Sequence, residues 1–205
     1  MATVKKLAII TFSTRTPRVG PRIAALINEI IANDADAKNG VEISSVAVAD
    51  FNLPVYDEPV IPAMVPSTAT FTQAHSIAWS NEMAKYAGYV LVVPEYNYGV
   101  AGSTKNAIDY LYNEWTGKPA AIISYGIKGG ALANDALDTT LKGMKLGVVA
   151  TRPLLTFHGG IGPDLNLAMT KGELGEDTRK DILAQSSSIL KAFYELKALA
   201  GSPKA

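Results

Sequence analysis

The sequence predicts an α/β protein built on an open, parallel, five-stranded sheet with helices on both faces. Short runs rich in β-branched and aromatic residues alternate along the chain with stretches in which apolar residues recur at helical spacing. Helical crossovers between parallel strands produce this alternation, because they cover both faces of the sheet. The predicted strands are approximately residues 4–12, 41–48, 88–94, 118–125 and 147–157.

Apolar stripes predict four helices between these strands and one after them. The stripes are Ile23, Leu26, Ile27, Ile30 and Ile31; Phe71, Ala74, Ala78, Trp79, Met83 and Tyr86; Ala107, Ile108, Leu111, Tyr112 and Trp115; and Ala133, Leu137, Thr140, Leu141 and Met144. The final helix is predicted over residues 176–198. Residues 52–66 contain four prolines, which lack a backbone donor, so we expect an ordered loop or lid there.

The composition is that of a single soluble domain. Because 48% of the residues are apolar and no linker interrupts the pattern, we expect one domain over residues 1–205 that ends in a helix. Nineteen basic residues balance nineteen acidic ones, so no overall field attracts nucleic acid or a membrane. The lack of cysteine excludes thiolate chemistry, and no apolar run approaches the roughly 18 residues of a membrane span. We therefore expect a cytoplasmic protein.

The segment after the first strand has the composition of an anion site. It leads into a helix, whose first N–H groups are unpaired and lie at the positive end of the helix dipole. Ser13 and Arg15 are candidate side-chain donors, and the candidate backbone donors are Thr16, Arg18, Val19 and Gly20. Phosphate is the natural ligand, although an ordinary helix start with solvated arginines would have a similar sequence.

The segment after the third strand, Pro94-Glu95-Tyr96-Asn97-Tyr98-Gly99, suits a planar heteroaromatic ligand. Aromatic faces offer stacking, while amide and backbone groups can match the polar edge of a ring. The alternative is a surface turn with incidental tyrosines. We interpret the combination as a binding loop.

The segment after the fourth strand, Ser124-Tyr125-Gly126-Ile127-Lys128-Gly129-Gly130, is rich in glycine. Glycines allow the backbone to approach a ligand closely and to present its N–H groups. A tight connection between strand and helix would need the same residues. This loop alone therefore does not decide between the two interpretations.

Signatures of other sites are missing from the sequence. Neither the dinucleotide-binding glycine fingerprint nor the Gly-Lys-Ser/Thr ending of a phosphate loop follows the first strand. His75 falls on the apolar stripe of the second helix, and His158 follows the fifth strand, where it could edge a pocket. Because neither has a metal-ligand partner at a typical spacing, we predict no metal site.

Together, the three loops resemble those of the NAD(P)H-dependent FMN reductase family, which includes dimeric quinone and azo reductases of the flavodoxin-like fold. The matching residues are Ser13 and Arg15, then Pro94 to Asn97 with Lys105-Asn106-Ala107-Ile108-Asp109, then Ser124, Gly126, Gly129 and Gly130. The second motif is the specific one, and the similarity spans roughly residues 6–157. The sequence departs from the family pattern at Phe12, Pro17, Gly20 and Thr104.

The resemblance implies the sheet order 2-1-3-4-5 and a bound FMN. It implies NADPH or NADH as the electron donor and a quinone, an azo compound or free flavin as the acceptor. The residues that it assigns to the phosphate are Ser13, Arg15, Arg18 and Val19, and those that it assigns to the ring are Pro94, Glu95, Tyr96, Asn97, Ser124, Gly126, Lys128 and Gly129. No catalytic side chain is assigned, because the flavin supplies the redox chemistry. Family members form homodimers, for which Tyr98, Tyr112 and Trp115 are candidate interface residues.

Two alternatives stay open at this point. The chain could be a flavodoxin-type electron carrier, although such carriers are strongly acidic and this chain has zero net charge. It could also be a binding protein that regulates a partner according to the oxidation state of its flavin. The sequence does not identify the electron acceptor or the nucleotide, and Arg18, Lys128 or Arg152 could meet an adenosine phosphate or simply be solvated.

Overall fold

The computed structural model describes residues 4–201 and confirms an α/β fold with helices on both sides of a parallel sheet. The strands are β1 (Lys5–Thr11), β2 (Val41–Ala47), β3 (Gly88–Tyr96), β4 (Gly99–Val100), β5 (Pro119–Gly126), β6 (Gly147–Val148) and β7 (Leu154–Thr156). The helices are α1 (Gly20–Ala32), α2 (Ala35–Lys38), α3 (Ala74–Ala84), α4 (Gly102–Asp109), α5 (Ala131–Gly143), α6 (Pro163–Lys171), α7 (Glu176–Ala184) and α8 (Ser186–Gly201). Within residues 4–201, no helix has both the length and the apolar character needed to cross a bilayer.

The main sheet has the strand order β2-β1-β3-β5-β6, and all neighbouring pairs along it are parallel. This is the predicted order 2-1-3-4-5, since β5 is the predicted fourth strand and β6 lies within the predicted fifth. The short strand β4 pairs antiparallel with the end of β3, and β7 pairs with the end of β5. The chain moves outward from β1 to β2 and then returns to the other side of β1, so the strand order reverses between β1 and β3.

The predicted fifth strand, residues 147–157, is interrupted. Its two ends pair with β5 as β6 and β7, while residues 150–152 leave the ladder. There the N–H and hydroxyl groups of Thr151 donate to the carboxylate of Glu195 at 2.8 and 2.7 Å. Pro153 has no N–H to offer a neighbouring strand. The segment therefore satisfies part of its hydrogen bonding through a side chain of α8.

Two helix predictions differ from the structure. The stripe that reaches Trp115 is helical only to Asp109, and the residues beyond it form turns that still bury Leu111 and Trp115. The predicted final helix is divided at Gln185, whose N–H donates to the carbonyl of Ile182 three residues back and so tightens the turn. Helices α2 and α6 were not predicted.

The sheet divides the apolar core into two layers. Alternate residues of β1 point to opposite faces, so Leu7 and Ile9 belong to the layer under α1 and α8, whereas Ala8 and Ile10 belong to the layer under α3, α4 and α5. Full burial of one leucine or isoleucine side chain stabilises the fold by about 1.5–3 kcal/mol. Burial on both faces thus holds the central strands in place.

The proline-rich segment, residues 52–66, is a loop fastened to α4 and to the turn that follows it. The side-chain amide of Asn106 donates to the carbonyl of Pro54 at 2.6 Å, and its oxygen accepts from the N–H of Tyr56 at 3.1 Å. The hydroxyl of Tyr110 donates to the same Pro54 carbonyl at 3.1 Å. These bonds give the segment an ordered position although it has no regular ladder.

Glu58, in the same segment, caps the start of α3. Gln73 precedes this helix and makes no side-chain capping bond of its own. The carboxylate of Glu58 accepts from the N–H groups of Thr72 and Gln73, at 2.9 and 2.8 Å, and from the hydroxyl of Thr72 at 2.8 Å. Burial raises the pKa of Glu58, but the hydrogen bonds outweigh it and lower the pKa from 4.5 to about 2.

Replacing Glu58 with glutamine should reduce the free energy of unfolding at pH 7 by about 1 kcal/mol, because the charged cap is lost. The pKa of Glu58 is lower in the folded chain than the ordinary value of 4.5, so its stabilisation is complete above that pH and is lost as the pH falls toward 2. Urea unfolding of E58Q and the unaltered chain should therefore converge over this window.

Glu173→Gln, at an exposed position, is the control and should show no such convergence. A difference between E58Q and the unaltered chain that stayed constant from pH 7 to pH 3 would contradict the capping role.

Candidate functional site

A cavity of about 430 Å³ lies at the carboxyl ends of β1, β3 and β5, beside the point where the strand order reverses. Open parallel sheets bind ligands at this position, and the volume is within the range of small-molecule sites. Seven of the residues predicted from sequence line it: Arg15, Arg18, Val19, Glu95, Tyr96, Asn97 and Gly126. Tyr125 and Ile127, within the third loop that the resemblance assigns to the ring, also line it, and the lining residues that were not predicted are Pro17, Phe157, Leu165, Ala168 and Met169.

The loop between β1 and α1 has polar atoms without hydrogen-bond partners. Ser13 is fully buried, and its Oγ makes no hydrogen bond of normal geometry among the described residues. Arg18 Nε is also buried and unpartnered there. Helix α1 starts at Gly20 without a side-chain cap. Buried polar groups are usually paired, so this loop is shaped for an anion that would accept from these donors.

Arg15, on the same loop, lies over the ring of Tyr96, with 3.5 Å between the guanidinium carbon and the ring centroid. This cation–π contact connects the first loop to the second across the cavity. Burial raises the pKa of Tyr96, while the charges of Arg15 and Arg18 oppose the increase. The two predicted loops thus share one wall of the site.

The second loop is the turn of a hairpin rather than an irregular segment. Strand β3 continues past Pro94 to Tyr96, which pairs with Gly99 in β4. Asn97 and Tyr98 occupy the two-residue turn with φ values of 49° and 62°, the sign required at both positions of a type I′ turn. Both side chains are exposed.

The prediction that Pro94 ends the third strand is wrong, because β3 continues to Tyr96. Pro94 is buried and pairs with Tyr125 in the β3–β5 ladder. The carbonyl of Val92 accepts from Phe12, so Val92 and every second residue after it direct their backbone polar groups toward the β1 side. The β1–β3 pairing ends at Val92, so the missing N–H of Pro94 faces no neighbouring strand.

Glu95 lines the cavity and also caps α5. Its carboxylate accepts from the N–H groups of Leu132 and Ala133 at 2.9 and 3.2 Å. The residue before this helix is Gly130, which has no side chain to cap it. Glu95 therefore joins the second loop to the third, a structural role that the sequence did not indicate.

The third loop contains residues of three kinds. Gly126 lines the cavity, whereas Lys128 is exposed and lies outside the cavity lining. Ser124 is buried and holds the loop closed, because its hydroxyl donates to the carbonyl of Gly129 at 2.8 Å and accepts from Asn134 at 2.9 Å. Gly129 is buried with φ of 71°. Ser124 and Gly129 thus shape the loop without lining the cavity.

Helix α6 supplies apolar lining to the cavity through Leu165, Ala168 and Met169. Pro163 in its first turn and Gly172 just beyond its end are sequence signals that could have revealed it. Gly172 lies against the main chain of Arg18, where an added Cβ would come within 2.8 Å of backbone atoms. Helix α6 is thus packed directly on the first loop.

The two histidines lie outside the cavity lining. His75 bonds Asp57 at 2.9 Å, and His158 bonds Asp181 at 2.8 Å. The hydrogen bond and the charge of Asp181 raise the pKa of His158. Over residues 4–201, no three side chains of the histidine, aspartate or glutamate type come together in a way that could hold a metal ion.

The NADPH-dependent FMN reductase family model matches residues 5–158, so this chain belongs to that family. An NAD(P)H-dependent FMN reductase of Nectria sp is 47% identical over 97% of this chain and 98% of its own length. An NAD(P)H-dependent FMN reductase of Saccharomyces cerevisiae is 38% identical over 70% of this chain and 77% of its own length.

Solved structures show the same fold. A flavoenzyme NAD(P)H:(acceptor) oxidoreductase from Paracoccus denitrificans gives a TM-score of 0.62 at 21% identity, over 94% of this chain and 98% of the other. An archaeal flavodoxin gives 0.52 at 10% identity, over 95% and 98%. The fold is therefore flavodoxin-like, and the family defines the chain as a flavin-dependent oxidoreductase that uses FMN and NAD(P)H.

Gly129→Ala should destabilise the fold more than Gly117→Ala. Both glycines have positive φ, 71° and 75°, which costs a residue with a side chain about 1–2 kcal/mol. At Gly129 an added Cβ would also lie 2.7 Å from Cβ of Leu154, whereas at Gly117 nothing lies within 4 Å. We expect this overlap to add about 1–3 kcal/mol to the loss in urea unfolding. Equal losses for the two variants would show that the third loop is not packed as described.

Proposed function

We propose that the 430 Å³ cavity binds FMN and that the chain transfers two electrons from NADPH or NADH to a quinone, an azo compound or free flavin by ping-pong turnover. The phosphate would lie on the first loop and the ring between the second and third. The observation that carries this proposal is the presence of two buried, unpartnered polar atoms, Ser13 Oγ and Arg18 Nε, on the loop at one end of the cavity.

The donor set of the first loop fits a phosphate. Two arginines, a buried hydroxyl and the uncapped start of α1 supply positive charge and hydrogen-bond donors at one place. No carboxylate of this loop competes for them, since residues 12–22 contain no acidic residue. Ser13, Arg15, Arg18 and Val19 would hold the anion.

The rest of the cavity fits a flat ring. Tyr96, Asn97 and Gly126 border it on the side of β3 and β5, and Phe157, Leu165 and Met169 form the apolar side. Bound FMN supplies the redox chemistry, so the protein has to bind it, orient it and admit the substrates. Pro94, Glu95, Ser124 and Gly129 would act by fixing the loops. Lys128 would remain near the surface.

The rim of the cavity supports an aromatic acceptor. Ile127 and Met169 line the cavity and yet expose 46% and 63% of their surface. Exposed apolar side chains at a pocket mouth favour contact with weakly polar planar molecules. Among relatives, quinone reductases of Pseudomonas putida and a NADPH azoreductase of a Bacillus species carry such acceptors in their names.

Of the three basic residues that could meet an adenosine phosphate, Arg152 is engaged elsewhere. Its guanidinium donates to Asn134 at 2.7 Å and to Asp135 at 3.0 Å. Arg18 lines the cavity. Lys128 is exposed, and it follows Ile127, which lines the cavity. Lys128 is therefore the better candidate for contact with the nucleotide.

We also propose a homodimer of single-domain subunits. The two core layers share one sheet, which supports one domain over the whole chain. Val55 and Ile61 on the proline-rich segment expose 87% and 69% of their surface, and Ile77 on the adjoining helix α3 exposes 42%. Of the predicted interface residues, Tyr98 is exposed and Tyr112 half-buried, whereas Trp115 is fully buried in the core and is removed from the candidates.

The function is tested by absorption spectroscopy. Purified protein should bind FMN, lose the oxidised-flavin absorbance when NADPH is added without oxygen, and recover it on addition of menadione. Steady-state rates should give parallel double-reciprocal lines, as expected for ping-pong turnover. Failure to bind FMN, or bound FMN that NADPH and NADH leave oxidised, would overturn the proposal, and reduction in two separate one-electron stages would favour a carrier.

The same experiment locates the flavin with a matched pair of variants. Arg18→Met should weaken FMN binding by about 10-fold or more, the cost of a hydrogen bond to a charged group. Arg22→Met, at an exposed position in the first turn of α1, should bind FMN normally. Equal binding by both variants would place the phosphate elsewhere.

The dimer is tested by light scattering on a size-exclusion column. The double variant Val55→Glu, Ile61→Glu should run as a monomer, because two charges would be buried at the interface. Ile161→Glu changes a side chain of similar exposure, 83%, outside this face and should leave the dimer intact. A monomeric unaltered chain, or a dimeric double variant, would rule out this interface.

A further inference from the structure

We propose that the hydroxyl of Tyr125 is a further hydrogen-bond donor to the phosphate of the bound flavin. This role rests on the binding mode proposed above, and it adds a residue from β5 to a site otherwise formed by the loop after β1. Tyr125 belongs to the third loop, which the family resemblance assigns to the ring, and a role for it at the phosphate was not predicted from sequence.

The surroundings of Gly20 show where the hydroxyl of Tyr125 lies. A Cβ built on Gly20 would lie 2.1 Å from Ser13 Oγ and 2.8 Å from the hydroxyl oxygen of Tyr125. The two hydroxyls therefore converge on the first residue of α1, where the helix presents unpaired N–H groups. An anion in front of these N–H groups would be within reach of both hydroxyls.

The rest of the Tyr125 side chain is held rigidly. Tyr125 exposes only 5% of its surface, lines the cavity, and sits in the sheet between Pro94 of β3 and Leu155 of β7. A side chain fixed in a ladder loses little entropy when it binds a ligand. The hydroxyl is thus a prepared donor rather than a group that has to be ordered.

The chemistry of the hydroxyl suits an anion. Burial raises the pKa of Tyr125, so the group keeps its proton over the whole working pH range and can donate. Arg15 and Arg18, the charged groups nearest to it, favour an anion at the same place. The side chain beside this hydroxyl is that of Ser13, which is also a hydroxyl, so at least one proton of the pair is left to donate to an anion.

The convergence also explains why position 20 is glycine. The backbone of Gly20 is not in the left-handed region, so its conformation does not require glycine. Any side chain would displace the two hydroxyls. We therefore infer that glycine is needed at position 20 because a side chain there would occupy the space of the Ser13 and Tyr125 hydroxyls. The requirement comes from ligand binding and not from the backbone conformation.

The test compares FMN with riboflavin, which has the same ring and no phosphate. Tyr125→Phe should raise the Kd of FMN by about 10- to 100-fold, measured by quenching of flavin fluorescence in the unreduced protein. Its Kd for riboflavin should stay within about threefold of the unaltered protein. Gly20→Ala should show the same selectivity, because the added methyl group pushes both hydroxyls away from the anion.

Tyr89→Phe is the matched control. Tyr89 is also fully buried, but it lies at the other end of the sheet, where its hydroxyl donates to the carbonyl of Met83 at 2.9 Å. This variant should bind both flavins normally. If Tyr125→Phe weakened FMN and riboflavin equally, or neither, the donor role would be overturned while the FMN site stood. If the unaltered protein bound riboflavin as tightly as FMN, the proposed phosphate site itself would fail.

Discussion

The parallel pairing of β1 with β3 is the constraint on which the rest of the molecule depends. The register runs from Leu7 opposite Gly88 to Thr11 opposite Val92, and the side chains on both faces of this pair are buried. The chain leaves β1 and β3 for opposite sides of the sheet, so the loops that follow them separate at their start. The cavity lies in this gap, and its position is a consequence of strand order rather than of any single side chain.

Two carboxylates hold the loops around the sheet in fixed positions. Glu58 caps α3 and Glu95 caps α5, and each comes from a segment distant in sequence from the helix that it caps. In both helices the residue at the N-cap position makes no side-chain bond. The helices thus depend on tertiary contacts for their first turns, and in return the proline-rich segment and the second loop are held against the helical layer.

The features that could be predicted from sequence depend on local pattern. The strands, the three loops and the positions of most helices follow from periodicity and turn residues, whereas the strand order was implied by the family resemblance. Most of the residues that line the cavity lie in the predicted loops. The roles of Glu95, Ser124 and Gly129 could not be predicted, because capping, loop closure and packing against Leu154 are contacts between distant segments. Helix α6 was missed because Ala168 is its one buried residue, so the helix carries no long apolar stripe.

Similar reasoning accounts for the remaining errors. Trp115 continues a helical spacing but lies in a turn, since spacing reports burial and not backbone conformation. The interruption of the fifth strand depends on Glu195, which is 44 residues away from Thr151 and has no local signature.

The projection of β3 beyond β1 has a consequence for how such a site can change. The pairing with β1 stops at Val92, and β3 continues to Tyr96, so four residues rise about 13 Å above the neighbouring strand. These four residues form a projecting end of β3, which we call the ledge, and its height is set by the length of the strand. Lengthening or shortening the ledge by a pair of residues would alter the depth available to a bound molecule while the register below stayed intact. Depth and loop composition can therefore evolve independently in this architecture.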